Sequence, residues 1–91
     1  MPIYAVGDKI PRIHPDAFIA PTATIVGDVR VEAGASVWYN ATVRGDSSYA
    51  VISEGANVQD GAAVHGRAGL PALIGREASL AHACVVHGAT I

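Results

Sequence analysis

Aliphatic side chains recur in this sequence at intervals of six: Ile19, Ile25, Val31, Val37 and Val43, then Ile52, Val58 and Val64, then Ile74, Leu80 and Val86. Two places before many of them stands a small or modest residue, as at Ala23, Val29, Ala35, Ala41, Ala62, Ala78 and Cys84. A period of six matches neither the 3.6 of a helix nor the plain alternation of a long strand. It matches strands of a few residues, each closed by a tight turn, and Gly27-Asp28, Ala33-Gly34, Gly45-Asp46 and Asp60-Gly61 carry turn chemistry. An amphipathic helix does not compete, because Pro15, Pro21, Gly27 and Gly34 interrupt it and β-branched residues hold the periodic sites. Three units of six close a triangular coil of 18 residues, and stacked coils form an all-β solenoid, a parallel β-helix in which each aliphatic residue rests on the one below. The hydrophobic share of 51% holds only one Phe, one Trp and three Tyr, so a narrow bore is filled by Ala, Val and Ile. Spacing leaves the handedness open, and the general rule for crossovers, right-handed in roughly 98% of cases, stands unopposed at this point.

The period breaks twice. Nine residues separate Val43 from Ile52 and ten separate Val64 from Ile74, insertions of three and four that predict loops at about 45–50 and 66–73. Loops on a rigid scaffold are where function tends to be placed. Residues 1–17 carry Pro2, Pro11 and Pro15 and no clean period, and read as a cap on the open end of a single domain, 1–91, of about four coils. The pattern runs into Ile91, five rather than six places after Val86, which reads as a truncated or minimal form of a longer solenoid. A net charge of -2, with 15% charged residues and no basic cluster, excludes nucleic acid as a partner. No apolar run approaches the roughly 20 residues of a membrane span. The amino end lacks the basic start and long apolar stretch of a signal peptide. With Cys84 as the single cysteine, no intrachain disulfide forms, and the expected compartment is the cytoplasm.

Allowing for the insertions, polar residues fall into columns. Arg44 follows Val43, His65 follows Val64 and His87 follows Val86, at separations of 21 and 22, which are the 18 of a coil lengthened by three and by four. They stack one per coil on one face, and rungs about 4.8 Å apart let two imidazoles converge on one metal ion. His82 lies two places after Leu80, near the corner of the preceding side, and points away from that face within one chain. Three solenoids packed about a threefold axis bring His82 of one to the His65 and His87 of its neighbour. Three His with a fourth position open is the catalytic pattern for zinc. His14, in the irregular opening, reads as a surface group.

The stretches Val37-Trp38-Tyr39-Asn40-Ala41-Thr42-Val43-Arg44-Gly45-Asp46, Asn57-Val58-Gln59-Asp60-Gly61 and Ala81-His82-Ala83-Cys84-Val85-Val86-His87-Gly88 resemble the γ-class carbonic anhydrases and their hexapeptide-repeat relatives. The likeness covers about Ile10 to Ile91. It implies a left-handed β-helix, a homotrimer, and zinc, or in some members iron or cobalt, held by His65 and His87 of one subunit and His82 of the next. The implied activity is reversible hydration of carbon dioxide to bicarbonate at the subunit interfaces. By the same resemblance Arg44 pairs with Asp46 or Asp60 and faces the substrate, as against a purely structural trimer ion pair. Gln59 resembles the family glutamine that hydrogen-bonds the metal-bound water, with an amide ladder as the plain alternative. Trp38 and Tyr39 read as interface packing and Cys84 as core. Family members usually continue into further coils and a carboxyl-terminal helix that this sequence lacks.

The chain departs from the resemblance where protons must leave. The best-known active members carry acidic residues after the Arg-Gly-Asp and in the loop after the first His. Here Ser47 follows Asp46, and residues 66–73 hold no carboxylate, which leaves Ser47, Ser48 and Tyr49 to pass protons through water. Three readings follow: a zinc-dependent carbonic anhydrase-like enzyme, a metal-binding relative acting as a thioesterase or on another small molecule, and a non-catalytic trimeric scaffold. A hexapeptide acyltransferase is disfavoured, because those enzymes normally use one catalytic His without a trio of ligands.

Overall fold

The computed structural model describes residues 2–91. Eleven short strands follow one another: β1 (Ile3–Tyr4), β2 (Arg12–Ile13), β3 (Phe18–Ile19), β4 (Thr24–Val31), β5 (Ser36–Val37), β6 (Thr42–Ile52), β7 (Asn57–Val58), β8 (Ala63–His65), β9 (Ala72–Ile74), β10 (Ser79–Leu80) and β11 (Val85–His87). Every pairing between them is parallel. Together they wind a β-solenoid of about four turns with three flat sides. The described residues contain no helix, and hence none long and apolar enough to cross a membrane.

All eleven periodic aliphatic residues are buried. They form three interior stacks: Ile25, Val43, Val64 and Val86 on the first side, Val31, Ile52 and Ile74 on the second, and Ile19, Val37, Val58 and Leu80 on the third. Burial of each such side chain contributes about 1.5–3 kcal/mol. Alanines at the small positions, among them Ala23, Ala35, Ala41, Ala50, Ala56, Ala62 and Ala72, are buried as well, where the chain bends and a larger group has no room. No polar or charged side chain is buried among the described residues, so whatever chemistry the molecule performs is built on its outside.

The two insertions take different forms. The first does not leave the ladder: β6 runs unbroken from Thr42 to Ile52, pairing with β4 over Thr42–Gly45 and again over Ala50–Ile52, with the extra residues opposite Asp28. The expected loop at 45–50 is therefore a bulge in a continuous strand that turns a corner. The second insertion does protrude, as a hairpin closed between Arg67 and Leu70 with Gly69 at φ 76. The opening segment repeats that device. Ile3 pairs with Ile25 and Ile13 with Val31, and between them Val6 and Lys9 close an antiparallel turn with Gly7 at φ 61. Ile3 and Ile13 are ten residues apart, the same interval as Val64 and Ile74, so the opening is in register with the coils despite showing no period in sequence.

Candidate metal centre

The first side of the solenoid carries an outward column. Val26 pairs with Arg44, Arg44 with His65 and His65 with His87 in direct register. The next residue in each rung is a glycine: Gly27, Gly45, Gly66 and Gly88. At this corner the coils pass too closely for side chains. A Cβ on Gly45 would lie 2.1 Å from the carbonyl oxygen of Asp28, and one on Gly66 would lie 2.9 Å from that of Tyr49. The glycine column brings successive coils together where the functional column ends. It was legible as a glycine after each column member, and sequence reasoning did not use it.

Asp46 organises the column. Its Oδ2 accepts from Arg44 Nη2 at 2.8 Å and from Nε at 3.3 Å, and its Oδ1 accepts the Ser47 backbone N–H at 2.9 Å. The Arg44 hydrogen bond, opposed by burial and aided by backbone N–H groups and the Arg44 charge, holds the Asp46 carboxyl down at about 2. An ionised carboxylate only accepts, so the 3.1 Å contact between Asp46 Oδ1 and His65 Nε2 makes that nitrogen the donor. Of the two aspartates expected beside Arg44, Asp46 is the one that reaches it within the chain. Lys9 reaches across from the opening hairpin and donates from Nζ to the Asp46 carbonyl at 3.0 Å. His65 and His87 stack with ring centroids 5.0 Å apart and planes within 3°.

His82 stands elsewhere. It occupies the corner between β10 and β11, exposed, next to Ala83, which holds φ 59 where the neighbouring coil has Gly61 at φ 71. Its Nδ1 lies 3.9 Å from Asp60 Oδ1. A cleft of about 450 Å³ there is lined by Ser36, Trp38, Asn57, Gln59, Asp60 and His82. Gln59 Nε2 donates to Asn57 Oδ1 at 3.1 Å, Asn57 Nδ2 donates to Ser79 Oγ at 2.9 Å, and Trp38 Nε1 donates to Ser36 Oγ at 2.9 Å. Asn57 thus fixes the side chain of Gln59, a role that sequence reasoning did not give it. Trp38 packs on Phe18 with centroids 4.9 Å apart. Cys84 is only partly buried against the core.

Two separate clusters result, one with Arg44, Asp46, His65 and His87, the other with Gln59, Asp60 and His82. Among the described residues no three metal-ligating side chains converge within the chain. The donor set suits zinc in kind, being imidazole nitrogen. It suits it in register too, since His65 and His87 share a rung position. His65 and His87 would be the two groups of this chain to hold such an ion.

The sequence of "Gamma carbonic anhydrase 2, mitochondrial" from Arabidopsis thaliana is 39% identical over 93 residues, covering 94% of this chain and 33% of that protein. "Carnitine operon protein CaiE" from Escherichia coli is 37% identical over 91 residues, covering 100% of this chain and 46% of that one. This chain belongs to the γ-carbonic anhydrase-like family of hexapeptide-repeat proteins. Its coil is the left-handed β-helix of that family, and a "hexapeptide transferase family protein" from Anaplasma phagocytophilum superposes on 98% of the chain and 52% of its own, with a TM-score of 0.92 at 34% identity. A "putative acetyltransferase" of Bacillus cereus matches 93% of the chain with a TM-score of 0.76 at 25% identity. The left hand here runs against the usual crossover rule, as the resemblance implied. No protein-family model matches the chain. The γ-carbonic anhydrase-like chain spans between a third and a half of the length of these curated relatives.

Proposed function

We propose that this protein is a metal-dependent, carbonic anhydrase-like enzyme that hydrates carbon dioxide reversibly to bicarbonate at the interfaces of a homotrimer. The observation that carries the reading is the division of the ligands: His65 and His87 share one column, and His82 stands on another corner beside Gln59. One chain supplies two ligands and its neighbour the third, with zinc as the proposed ion and iron or cobalt as alternatives. When bound, zinc supplies acidity, bringing the pKa of water to about 7 as it does in the carbonic anhydrases where this is established.

The chain's own groups have defined tasks. Asp46 holds Arg44 from Oδ2 and His65 from Oδ1. This fixes the guanidinium, whose planar fork and permanent charge suit the paired oxygens of bicarbonate. His65 would hold the ion through Nε2 only on losing the proton it now shares with Asp46. Gln59, anchored by Asn57, presents an amide to the same space from the neighbouring subunit. Proton release falls to Ser47, Ser48, Tyr49 and solvent, because the hairpin at 66–71 carries Arg67 and Leu70 in place of carboxylates. That last feature favours a second reading, a metal-binding relative acting on a different small molecule, for which rapid proton export is not required.

The test is stopped-flow carbon dioxide hydration on protein of measured metal content, with His82→Ala as control. The expected result is near-stoichiometric zinc with hydration that His82→Ala abolishes. Stoichiometric zinc with no hydration above background would remove the hydratase and leave the second reading.

A further inference from the structure

The second side of the solenoid holds a charged arrangement that this chemistry leaves unused. Arg12 on β2 and Arg30 on β4 are direct cross-strand partners in parallel strands. Both are exposed, on the outer face flanking the inward Ile13 and Val31. Like charges directly opposite on neighbouring strands repel. Neither guanidinium takes part in an ion pair among the described residues. Yet two carboxylates, Glu32 and Glu54, line the same cleft of about 540 Å³, whose other walls are Ile13, His14, Val31 and Ala33. Glu54 is engaged by Arg76 at 2.9 Å. His14 accepts the Asp16 backbone N–H on Nδ1 at 3.0 Å, which fixes its ring and leaves Nε2 for other partners.

We infer that this cleft is an oxyanion site in which Arg12 and Arg30 together grip the carboxylate or phosphate group of a small molecule. Paired parallel strands set the two backbones about 4.8 Å apart, a spacing at which one oxyanion meets both guanidinium forks. Each fork matches such a group with two parallel N–H donors. The anion turns the repulsion between the two arginines into two charge-assisted contacts. Ile13, Val31 and Ala33 give a small organic body an apolar wall beside its charged end. Glu32, which shares the outer face with Arg30 two residues away, limits the charge the site accepts, so a group carrying a single negative charge is preferred to one carrying several. The site lies on a side of the solenoid that carries neither His82 nor the His65 and His87 column, and it does not rest on the metal reading.

Nitrogen–proton NMR titration of the full chain with inorganic phosphate and, separately, with acetate, at constant ionic strength, tests this. Saturable shifts centred on residues 12–14 and 30–33 are expected, with acetate bound more tightly than phosphate, and the reverse order would overturn the preference for a single charge. Arg12→Gln and Arg30→Gln should each weaken binding at least tenfold, and Glu32→Gln should strengthen phosphate binding severalfold. Should a glutamine variant fail to fold, Arg30→Lys keeps the charge and loses the fork, and severalfold weaker binding is expected of it. Shifts that do not saturate, shifts confined to Arg44, Asp46, His65 and His87, or binding by Arg30→Lys equal to that of the parent would each overturn the site.

Discussion

At the scale of single residues, the candidate site depends on atoms that carry no chemistry of their own. Gly45 separates Arg44 from Asp46, and any Cβ there meets the Asp28 carbonyl oxygen at 2.1 Å, a backbone atom that cannot rotate away. Gly45→Ala should therefore cost about 3 kcal/mol of stability by overpacking, read as a lower urea midpoint with an unchanged slope. Asp46 gives a second prediction, in pH. Its folded pKa of about 2 lies below its ordinary value of 3.8. Its contribution is thus fully present above about pH 4 and is lost as the pH falls toward 2. The shift sets a ceiling of about 2 kcal/mol, reduced by solvent because the Arg44 side chain is 47% exposed. The stability gap between the parent and Asp46→Asn should hold from pH 7 to 5, shrink as the pH falls below about 4, and close only below the folded pKa of about 2 in chemical unfolding. A gap independent of pH would place the Asp46 contribution in packing or hydrogen bonding rather than in its charge.

At the scale of elements, the interior stacks decide which substitutions hurt. Ile52 is fully buried, with Val31 and Ile74 as its rung neighbours, and has no way to collapse the hole left by truncation. Ile52→Ala should cost roughly 2–5 kcal/mol, whereas Ile3→Ala, on the first rung with a residue 37% exposed, should cost under about 1 kcal/mol. Equal losses in thermal unfolding would contradict a stack closed at its centre and open at its end. The same stacks explain how much was legible in sequence. A large aliphatic at every sixth place, with a small residue two places before it, is a strong periodic signal, and every periodic aliphatic residue is buried. What escaped was whatever the period does not encode. The opening segment hid its register behind a four-residue hairpin between Ile3 and Ile13. The insertion after Gly45 could equally have been a loop or a bulge, because the choice is made by hydrogen bonds to β4. The contact of Arg44 with Asp46 within the chain was likewise closed to sequence, since it depends on how the strand bulges after Gly45.

At the scale of the whole molecule, the column of Arg44, His65 and His87 was read from the spacing and stands in the structure residue for residue. The separation of His82 from it is equally plain. Two imidazoles stand on one side and a third on another corner, and among the described residues no third ligand converges on the pair. In the proposed function these are complementary halves that a closed ring of three copies would join. The most direct test is complementation between subunits. His65→Ala and His82→Ala chains, each unable to complete any interface alone, are mixed, unfolded and refolded together, and zinc per trimer is measured after removal of free metal. The shared-site account predicts little zinc in either variant alone and a partial recovery in the mixture, where an intact His82 meets an intact His65 and His87. Full zinc in His82→Ala alone, or no recovery in mixed trimers shown by mass to contain both chains, would contradict it.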